Sequence, residues 1–326
     1  MKNNTLYIVI PCYNEEEVIQ ETTKRLNKKI NSLIKDKIIS NKSKVLYVND
    51  GSKDNTWNII ENITKENNYF SGICLSRNKG HQNALLAGLM TAKEHADFVI
   101  SMDADLQDDI EAIDEMIKKY FEGNEIVYGV RSSRKKDSFF KKTSAELFYK
   151  FIKKMDVDIV FNHADYRLAS KRVLNDLEKY KETNLFLRAI FPTIGYKSDV
   201  VYYERNERFA GTSKYPLKKM LNFAWDGITS FSTKPIRIIT KISILNLVLS
   251  IICLITLIVL KIVLCNFSHI YLILSAFWIL ISIIFVSISV IGEYIGKIYM
   301  EIKSRPRYFI SEQIGVTNDI KNKKNL

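Results

Sequence analysis

The chain has 326 residues and a mass of 37.8 kDa, which fits one large domain with an additional segment. With 47% hydrophobic, 11% aromatic and 26% charged residues, the composition excludes a disordered or collagen-like protein. The net charge of +12 is concentrated in residues 212–326, which hold 14 Lys and Arg against 5 Asp and Glu. Because these basic residues flank apolar runs, they favour a membrane surface over nucleic acid as the partner.

Five short, β-branched runs alternate with helical segments over the first 130 residues. We predict strands at 6–10, 44–49, 72–76, 98–102 and 125–130, and helices at about 15–35, 55–66, 81–94 and 109–121. This alternation predicts an α/β fold with a mainly parallel central sheet, in which ligand-binding groups lie at the carboxyl ends of the strands.

Carboxylates and amides follow three of these strands directly. The first strand runs into residues 11–16 (PCYNEE), the second into 50–52 (DGS) and the fourth into 103–108 (DADLQD). Hard oxygen ligands of this kind prefer Mg²⁺ or Mn²⁺, and such ions usually share their coordination with ligand phosphates. Asp50 could also be a simple turn residue, and Asp108 or Asp109 a helix N-cap. The joint placement of the three groups favours a site for a ligand with ribose hydroxyls and phosphates.

Two nucleotide-binding motifs are missing from the sequence. No G-x-G-x-x-G follows the first strand, and no P-loop lysine is present. Dinucleotide-dependent and ATPase functions are therefore disfavoured.

Two long uncharged stretches lie further along the chain, at 242–260 and 262–292. Each is long enough to cross the ~30 Å hydrocarbon core of a bilayer as a helix, so we predict a hairpin of transmembrane helices at about 242–264 and 270–291. Basic residues flank both ends of the hairpin, which predicts that the large domain and both termini lie on the cytoplasmic side of a cell membrane. Residues 212–241 mix lysines with Leu, Phe, Trp and Ile and are predicted to form interfacial amphipathic helices, followed after the hairpin by a basic cytosolic tail, 293–326.

The motifs PCYNEE, VNDGSKDNT, LSRNKGHQNALLAGL, SMDADLQD and YGVRSSR resemble those of family-2 glycosyltransferases with the GT-A fold. The later HADYRLASKRV, ERFAGTSKYPLKKM and IGEYIGKIY narrow the resemblance to polyprenyl-phosphate glycosyltransferases, which include bactoprenol glucosyltransferases and dolichol-phosphate mannose synthases. The resemblance covers about residues 5–310 and implies that 1–211 form the GT-A domain. The Q-x-x-R-W motif of processive synthases is absent, which favours a single sugar transfer.

The resemblance also implies roles for individual residues. It assigns the nucleotide-sugar site to Pro11, Tyr13, Glu15, Asp50, Asp103 and Gln107. It makes Asp103 and Asp105 the metal-binding pair, with Asp105 the more direct ligand, and places Asp165 at the position usually called the catalytic base. Arg131, Arg208 and Lys214 match basic residues that meet the diphosphate and the lipid phosphate. His81 stands where the family often has lysine; we interpret it as a tolerated variant, with a plain surface residue at a helix start as an equal alternative.

The implied reaction is an inverting transfer of one sugar from a nucleotide-sugar to undecaprenyl phosphate, with Mg²⁺ or Mn²⁺. UDP-glucose is the first expectation for the donor; UDP-N-acetylglucosamine, UDP-galactose, GDP-mannose and an aminoarabinose donor stay open. Because a phosphate monoester has a second pKa near ~6, we expect Asp165 to position the acceptor or a basic partner at least as much as it removes a proton.

The resemblance allows a homo-oligomer, a separate flippase and a downstream glycosyltransferase as further partners. Functions of other classes are a degenerate membrane-anchored binding subunit and, less favoured, a channel or carrier.

Overall fold

The computed structural model describes residues 4–132, 163–182, 186–206 and 270–316, together with single helical residues at 238, 241, 245, 252 and 256. Nearly all of the predicted interfacial segment and of the first predicted membrane span lies outside these described residues, as do Arg208 and Lys214.

The described strands form one eight-stranded sheet with the order β7-β5-β6-β4-β1-β2-β3-β8. The strands are β1 (Leu6–Cys12), β2 (Lys44–Asn49), β3 (Phe70–Leu75), β4 (Phe98–Ser101), β5 (Ile126–Arg131), β6 (His163–Ser170), β7 (Ser198–Tyr203) and β8 (Ile310–Ile314). The helices are α1 (Ile19–Lys35), α2 (Thr56–Glu66), α3 (His81–Ala92), α4 (Ala112–Phe121), α5 (Lys171–Leu177), α6 (Leu187–Ile194) and α7 (Ile270–Lys303).

The predicted α/β architecture is confirmed. All five predicted strands and all four predicted helices form, with ends that shift by a few residues. The central strands β4, β1, β2 and β3 pair in parallel, as does β5 with β7, whereas β6 and β8 pair antiparallel with their neighbours. The sheet is therefore mainly parallel, with the antiparallel strand β6 inserted between β5 and β4 and the antiparallel strand β8 added at one edge.

Apolar side chains cover both faces of the sheet, because successive residues of a strand point to opposite sides. On β1, Ile8 packs in the core that α1, α2 and α4 cover, while Val9 packs in the core that α3, α5 and α6 cover. Helix α3 lies especially close to the sheet: a Cβ on Gly88 would stand 2.4 Å from Cγ1 of Val9 and 2.7 Å from Cγ2 of Val48. Helices on both faces leave the carboxyl ends of the strands open for a ligand.

Helix α7 has 34 residues and ends at Lys303, after which the chain returns to the sheet as β8. Many large apolar side chains along this helix are exposed, among them Ile273, Phe277, Ile284 and Ile288. Within the ranges that the structure describes, no helix meets the combined length and apolarity required to cross a membrane. The transmembrane hairpin therefore stays a prediction.

Candidate active site

The carboxyl ends of β1, β2 and β4 lie side by side. Cys12 at the end of β1 pairs with Asn49 at the end of β2, and Val9 pairs with Ser101 at the end of β4. Because the three strands are parallel, the polar segments that follow them leave the sheet at the same edge. This register is the physical basis of the candidate site.

Asp50, directly after β2, binds the loop that follows β3. Its carboxylate accepts hydrogen bonds from the backbone amides of Lys79 at 2.7 Å and Gly80 at 2.9 Å. The side chain is buried; burial raises its pKa, and the two amide donors and the nearby His81 partly offset this. The loop that follows β3 is thus held against the end of β2, so Asp50 is more than a turn residue.

The segment after β1 is pinned to the start of α2. Pro11 is buried within β1, whereas Tyr13 and Glu15 are half-buried beyond its end. The amide of Glu15 donates to Oγ1 of Thr56 at 2.9 Å. Asn14 adopts a positive φ of 52°, a conformation that asparagine tolerates better than most residues, and this turns the chain toward α2.

Asp103, Asp105 and Gln107 lie on the loop that follows β4. The amide of Gln107 donates to Oδ1 of Asp105 at 3.1 Å, and its side-chain oxygen accepts from the guanidinium of Arg205. Asp103 is more exposed than Asp105. Burial, together with the negative charges of Asp105 and Asp165, raises the pKa of Asp103 against the lowering effect of His81.

Asp108 is a buried member of the site rather than a helix cap. The N-cap of α4 is Glu111, and the carboxylate of Asp108 instead accepts from the Tyr203 hydroxyl at 2.5 Å and the Asp103 amide at 3.3 Å. Arg131 lies 3.9 Å from the same carboxylate. Burial, followed by the charge of Asp103, raises the pKa of Asp108 to about 6.

Asp165, on β6, contacts four polar or charged side chains within the part of the chain that the structure describes. Arg167 contacts Oδ1, Arg188 Nη2 donates to Oδ2 at 3.1 Å, and Gln82 donates to Oδ2 at 3.3 Å. His81 Nε2 lies 3.5 Å from Oδ2. Burial alone would raise the pKa of Asp165, but the charge of Arg188 and the contacts with His81 and Arg167 outweigh it and hold this pKa well below the ordinary value.

His81 connects the carboxylates of two strands. Its Nε2 lies 3.7 Å from Asp103 and 3.5 Å from Asp165, and its side chain is about 30% exposed. Burial would lower the pKa of His81, but Asp165 and Asp103 raise it overall. His81 thus begins α3, as the surface alternative supposed, but it also lies beside two carboxylates of the site.

Several functional candidates were not singled out from the sequence. These residues are Gln82, Asp108, Arg167, Arg188 and Tyr203. The sequence gives only a weak indication of these contacts. Asp165 and Arg167 are two positions apart on one strand and so share a face, but Arg188 lies 23 positions beyond Asp165. The structure places Asp50, Asp103, Asp105, Arg131 and Asp165 at the same edge of the sheet, and their roles stay predictions.

The donor set at the end of β4 fits a divalent cation. Asp103 and Asp105 supply hard oxygen ligands, and their mutual repulsion, which raises the pKa of Asp103, would be relieved by a bound cation. Over residues 4–132, 163–182, 186–206 and 270–316 there is no group of three or more His, Cys, Asp or Glu able to hold a metal ion. A cation here would therefore need further ligands from substrate or water.

An α/β sheet of this order, with carboxylates gathered at its parallel strand ends, is the architecture of a GT-A-like glycosyltransferase. The chain belongs to glycosyl transferase family 2, whose sequence profile matches residues 7–178. The resemblance inferred from the motifs is thereby confirmed.

Relatives of known sequence agree with this assignment. The chain is 51% identical to the uncharacterized glycosyltransferase YkoT of Bacillus subtilis (strain 168), over 94% of this chain and 90% of that protein. It is 37% identical to the bactoprenol glucosyl transferase of Shigella phage SfX, over 94% of this chain and 98% of that protein. Among solved structures, glucosyl-3-phosphoglycerate synthase from Mycobacterium tuberculosis is 16% identical, with coverage of 70% and 79% and a TM-score of 0.46.

Proposed function

We propose that the protein transfers one sugar from a nucleotide-sugar to a polyprenyl phosphate, with inversion at the anomeric carbon, at the cytoplasmic face of a cell membrane. The observation that carries the proposal is the gathering of Asp50, Asp103, Asp105 and Asp165 at one edge of the sheet in a family-2 glycosyltransferase. The acceptor is suggested by the name of the relative that is 37% identical along nearly its whole length. UDP-glucose is the donor that this relationship favours.

The segments after β1 and β2 are the proposed nucleotide site. Tyr13 and Glu15 are accessible beside Asp50, and the loop that Asp50 holds brings the start of α3 to the same edge. Backbone amides and the positive end of a helix dipole favour negatively charged groups such as a diphosphate. Pro11 is buried, so its role in this proposal is to shape the turn rather than to contact the ligand.

Asp103 and Asp105 would hold Mg²⁺ or Mn²⁺ beside the donor diphosphate, with Gln107 close by. When bound, the cation would offset the negative charge that grows on the leaving diphosphate. Arg131, already oriented by Asp108, is proposed to face the same phosphates, and Arg208 and Lys214 are proposed to meet the lipid phosphate.

Asp165 is proposed to position cationic groups rather than to act mainly as a base. Its carboxylate contacts two arginines, and its pKa lies well below the ordinary value, which makes it a poor proton acceptor. A phosphate acceptor has little need of a base, because its second pKa near ~6 leaves it largely ionised at pH 7. Arg188 is held by Asp165 while 28% of its side chain stays exposed, so it can meet the approaching acceptor.

Attachment to the bilayer is proposed through α7 and the predicted first span. Support comes from the exposed apolar side chains of α7 and from the uncharged stretches of the sequence. Lipid tails would cover such side chains favourably. The proposed orientation keeps the sheet domain and both termini on the cytoplasmic side.

The test is a turnover assay with purified full-length protein in nanodiscs. Undecaprenyl phosphate, Mg²⁺ or Mn²⁺ and a panel of nucleotide-sugars are supplied, and release of nucleoside diphosphate is followed beside formation of the lipid-linked sugar. We expect release to require the lipid phosphate and the cation, and to be greatest with UDP-glucose. Omission of each component in turn is the control.

Two other outcomes would change the proposal. Turnover with a different donor would retain the reaction and replace UDP-glucose. If the protein binds nucleotide but releases no nucleoside diphosphate from any donor, the proposed enzymatic activity would be overturned. A degenerate, membrane-anchored binding subunit would then be favoured.

A further inference from the structure

The segment that follows α7, Arg307–Val316, is bound to the sheet domain over its whole length; we call it the docking segment. Its strand, β8, pairs antiparallel with β3, with Gly72 opposite Ile314 and Leu75 opposite Ile310. Side chains add to this pairing: Ser311 donates to the Cys74 carbonyl at 3.0 Å. The outer edge of β3, which would otherwise present unpaired backbone groups, is thereby covered.

Contacts on both sides of β8 anchor the docking segment to separate parts of the domain. The Arg307 guanidinium donates to the Tyr180 carbonyl, and Lys44 Nζ donates to the Gly315 carbonyl at 2.5 Å. Val316 is 6% exposed and belongs to the core that α3 covers. These contacts require the native positions of β2, β3 and the segment after α5, so the docking segment is part of the folded domain.

The docking segment also contacts the loop that reaches the candidate active site. The amide of Ser76, the first residue after β3, donates to the Phe309 carbonyl at 3.0 Å. Only Arg77 and Asn78 separate Ser76 from Lys79, whose amide donates to Asp50. The loop 76–80 is therefore held at one end by the docking segment and at the other by the carboxylate of Asp50.

Little space is left for this loop to move. A Cβ on Gly51, which has a φ of +63°, would lie 2.6 Å from the Asn78 backbone nitrogen. Helix α3 begins directly after the loop and carries His81 and Gln82 to Asp165. A change in the path of the loop would therefore move groups on both the Asp50 and the Asp165 sides of the site.

We propose that the docking segment positions the loop 76–80 for binding of the nucleotide-sugar, so that the donor site is complete only when Arg307–Val316 is seated on β3. The proposal rests on the proposed function for the identity of the ligand. Its structural part, that the docking segment orders the loop, stands on the contacts alone. The residues of the segment act through the loop and are positioning residues.

The first test removes the docking segment. Full-length protein is compared with a chain that lacks residues 306–326 and with a control that lacks only 318–326. We expect the longer deletion alone to speed amide exchange in a peptide covering 76–82 at least about tenfold, because the Phe309 contact is lost. We also expect the KM for the donor to rise about tenfold while the KM for the lipid phosphate changes less than about threefold. A synthetic peptide of residues 305–317, added in trans, should restore both quantities.

A second variant covers the case in which the deleted chain fails to fold. Gly315 has a φ of +68°, and a Cβ there would meet the Phe70 carbonyl oxygen at 3.1 Å, so Gly315→Val strains the end of β8 in an otherwise intact chain. Gly123→Val is the matched control, because Gly123 has a φ of +91° but only Lys197 Nζ within 4 Å, at 3.9 Å, and lies in the α4–β5 turn. We expect both variants to lose stability but only Gly315→Val to speed exchange at 76–82.

The outcomes separate this proposal from the proposed function. Equal exchange at 76–82 in Gly315→Val and Gly123→Val, or an unchanged loop and unchanged donor KM in a folded deletion chain, would overturn the positioning role. A third result is that the wild-type chain binds no nucleotide-sugar, while removal of the docking segment still speeds amide exchange at 76–82. That result would overturn the nucleotide-sugar as ligand but retain the ordering of the loop by the docking segment.

Discussion

The half of the sheet formed by β1 to β4 differs from the half formed by β5 to β7 in how the chain builds it. In the first half each strand is followed by a helix, and the four strands pair in parallel with one another. In the second half, β6 enters antiparallel between β4 and β5 and carries Asp165 to the strand ends of the first half. The candidate active site thus combines loops that follow the parallel strands of the first half with Asp165 from an antiparallel strand of the second half.

The difference also appears in the electrostatics of the two halves. The first half contributes mainly carboxylates, which attract a cation, and burial together with the charge of Asp105 raises the pKa of Asp103. The second half contributes arginines, which lower the pKa of Asp165 against the effect of burial. A reaction that brings a phosphate toward a diphosphate needs both kinds of group, because the reactants repel each other.

The largest expected effect comes from the first half. Asp105→Asn removes one negative charge from the proposed cation site, and we expect kcat/KM to fall about a thousandfold, or ~4 kcal/mol. The assay is nucleoside diphosphate release over a range of Mg²⁺ and Mn²⁺ concentrations. Asp36→Asn, at an exposed carboxylate beyond α1, is the control and should keep full activity. A loss smaller than about threefold would show that Asp105 does not hold the cation.

The second prediction concerns the other half and uses stability as its measure. Asp165→Asn leaves Arg167, which is 1% exposed, without its charged partner, so we expect the free energy of unfolding to fall by about 3 kcal/mol along with activity. Denaturant unfolding measures the change. Glu115→Gln breaks the exposed pair with Lys118 and should cost less than about 0.5 kcal/mol. Lost activity at unchanged stability would instead favour a direct role of Asp165 as base.

A third prediction compares how tightly the two halves are packed. A Cβ at Gly88 meets β-branched side chains on two strands, Val9 and Val48, so Gly88→Ala should lower the free energy of unfolding by about 2 kcal/mol. At Gly129, on β5, the added Cβ would lie 2.8 Å from the Tyr166 ring and 3.0 Å from both Met116 Cε and the Tyr166 carbonyl oxygen, so its shortest contact is longer than the 2.4 Å at Gly88. We expect Gly129→Ala to cost less in the same denaturant measurement; the reverse order would show that the second half is the more tightly packed.

The smallest effect is expected for a hydroxyl on β7 that contacts the loop after β4. Tyr203→Phe removes the hydroxyl that donates to Asp108, and we expect a loss of about 1 kcal/mol in the free energy of unfolding. Tyr202→Phe, at the neighbouring side chain that is 68% exposed, should change nothing measurable. Equal results for the two variants would indicate that the Tyr203–Asp108 bond does not contribute to stability.

Much of the first half could be predicted from the sequence because its signals are local. A β-branched run followed directly by Asp50 or Asp103 places both the strand and the carboxylate without knowledge of the rest of the chain. The side chains around Asp165 could not be predicted in this way. Gln82 and Asp165 are 83 positions apart, and their contact depends on the antiparallel entry of β6.

Asp108 shows a second limit of local reasoning. A carboxylate a few residues before a helix is usually a cap, and only the backbone path decides otherwise. Leu106 adopts a positive φ of 59°, which turns the loop so that Asp108 meets the Asp103 amide and the Tyr203 hydroxyl. Such a conformation of a leucine has no signature in the sequence.

The pairing of β8 with β3 affects how the domain folds during its synthesis on the ribosome. Lys44 and the Gly315 carbonyl that it contacts are 271 positions apart, and α7 is made between β3 and β8. Throughout synthesis of that long interval, β3 has an open edge that invites pairing with other nascent chains. We therefore expect the newly made domain to depend on chaperone protection until α7 has left the ribosome and β8 can close the sheet.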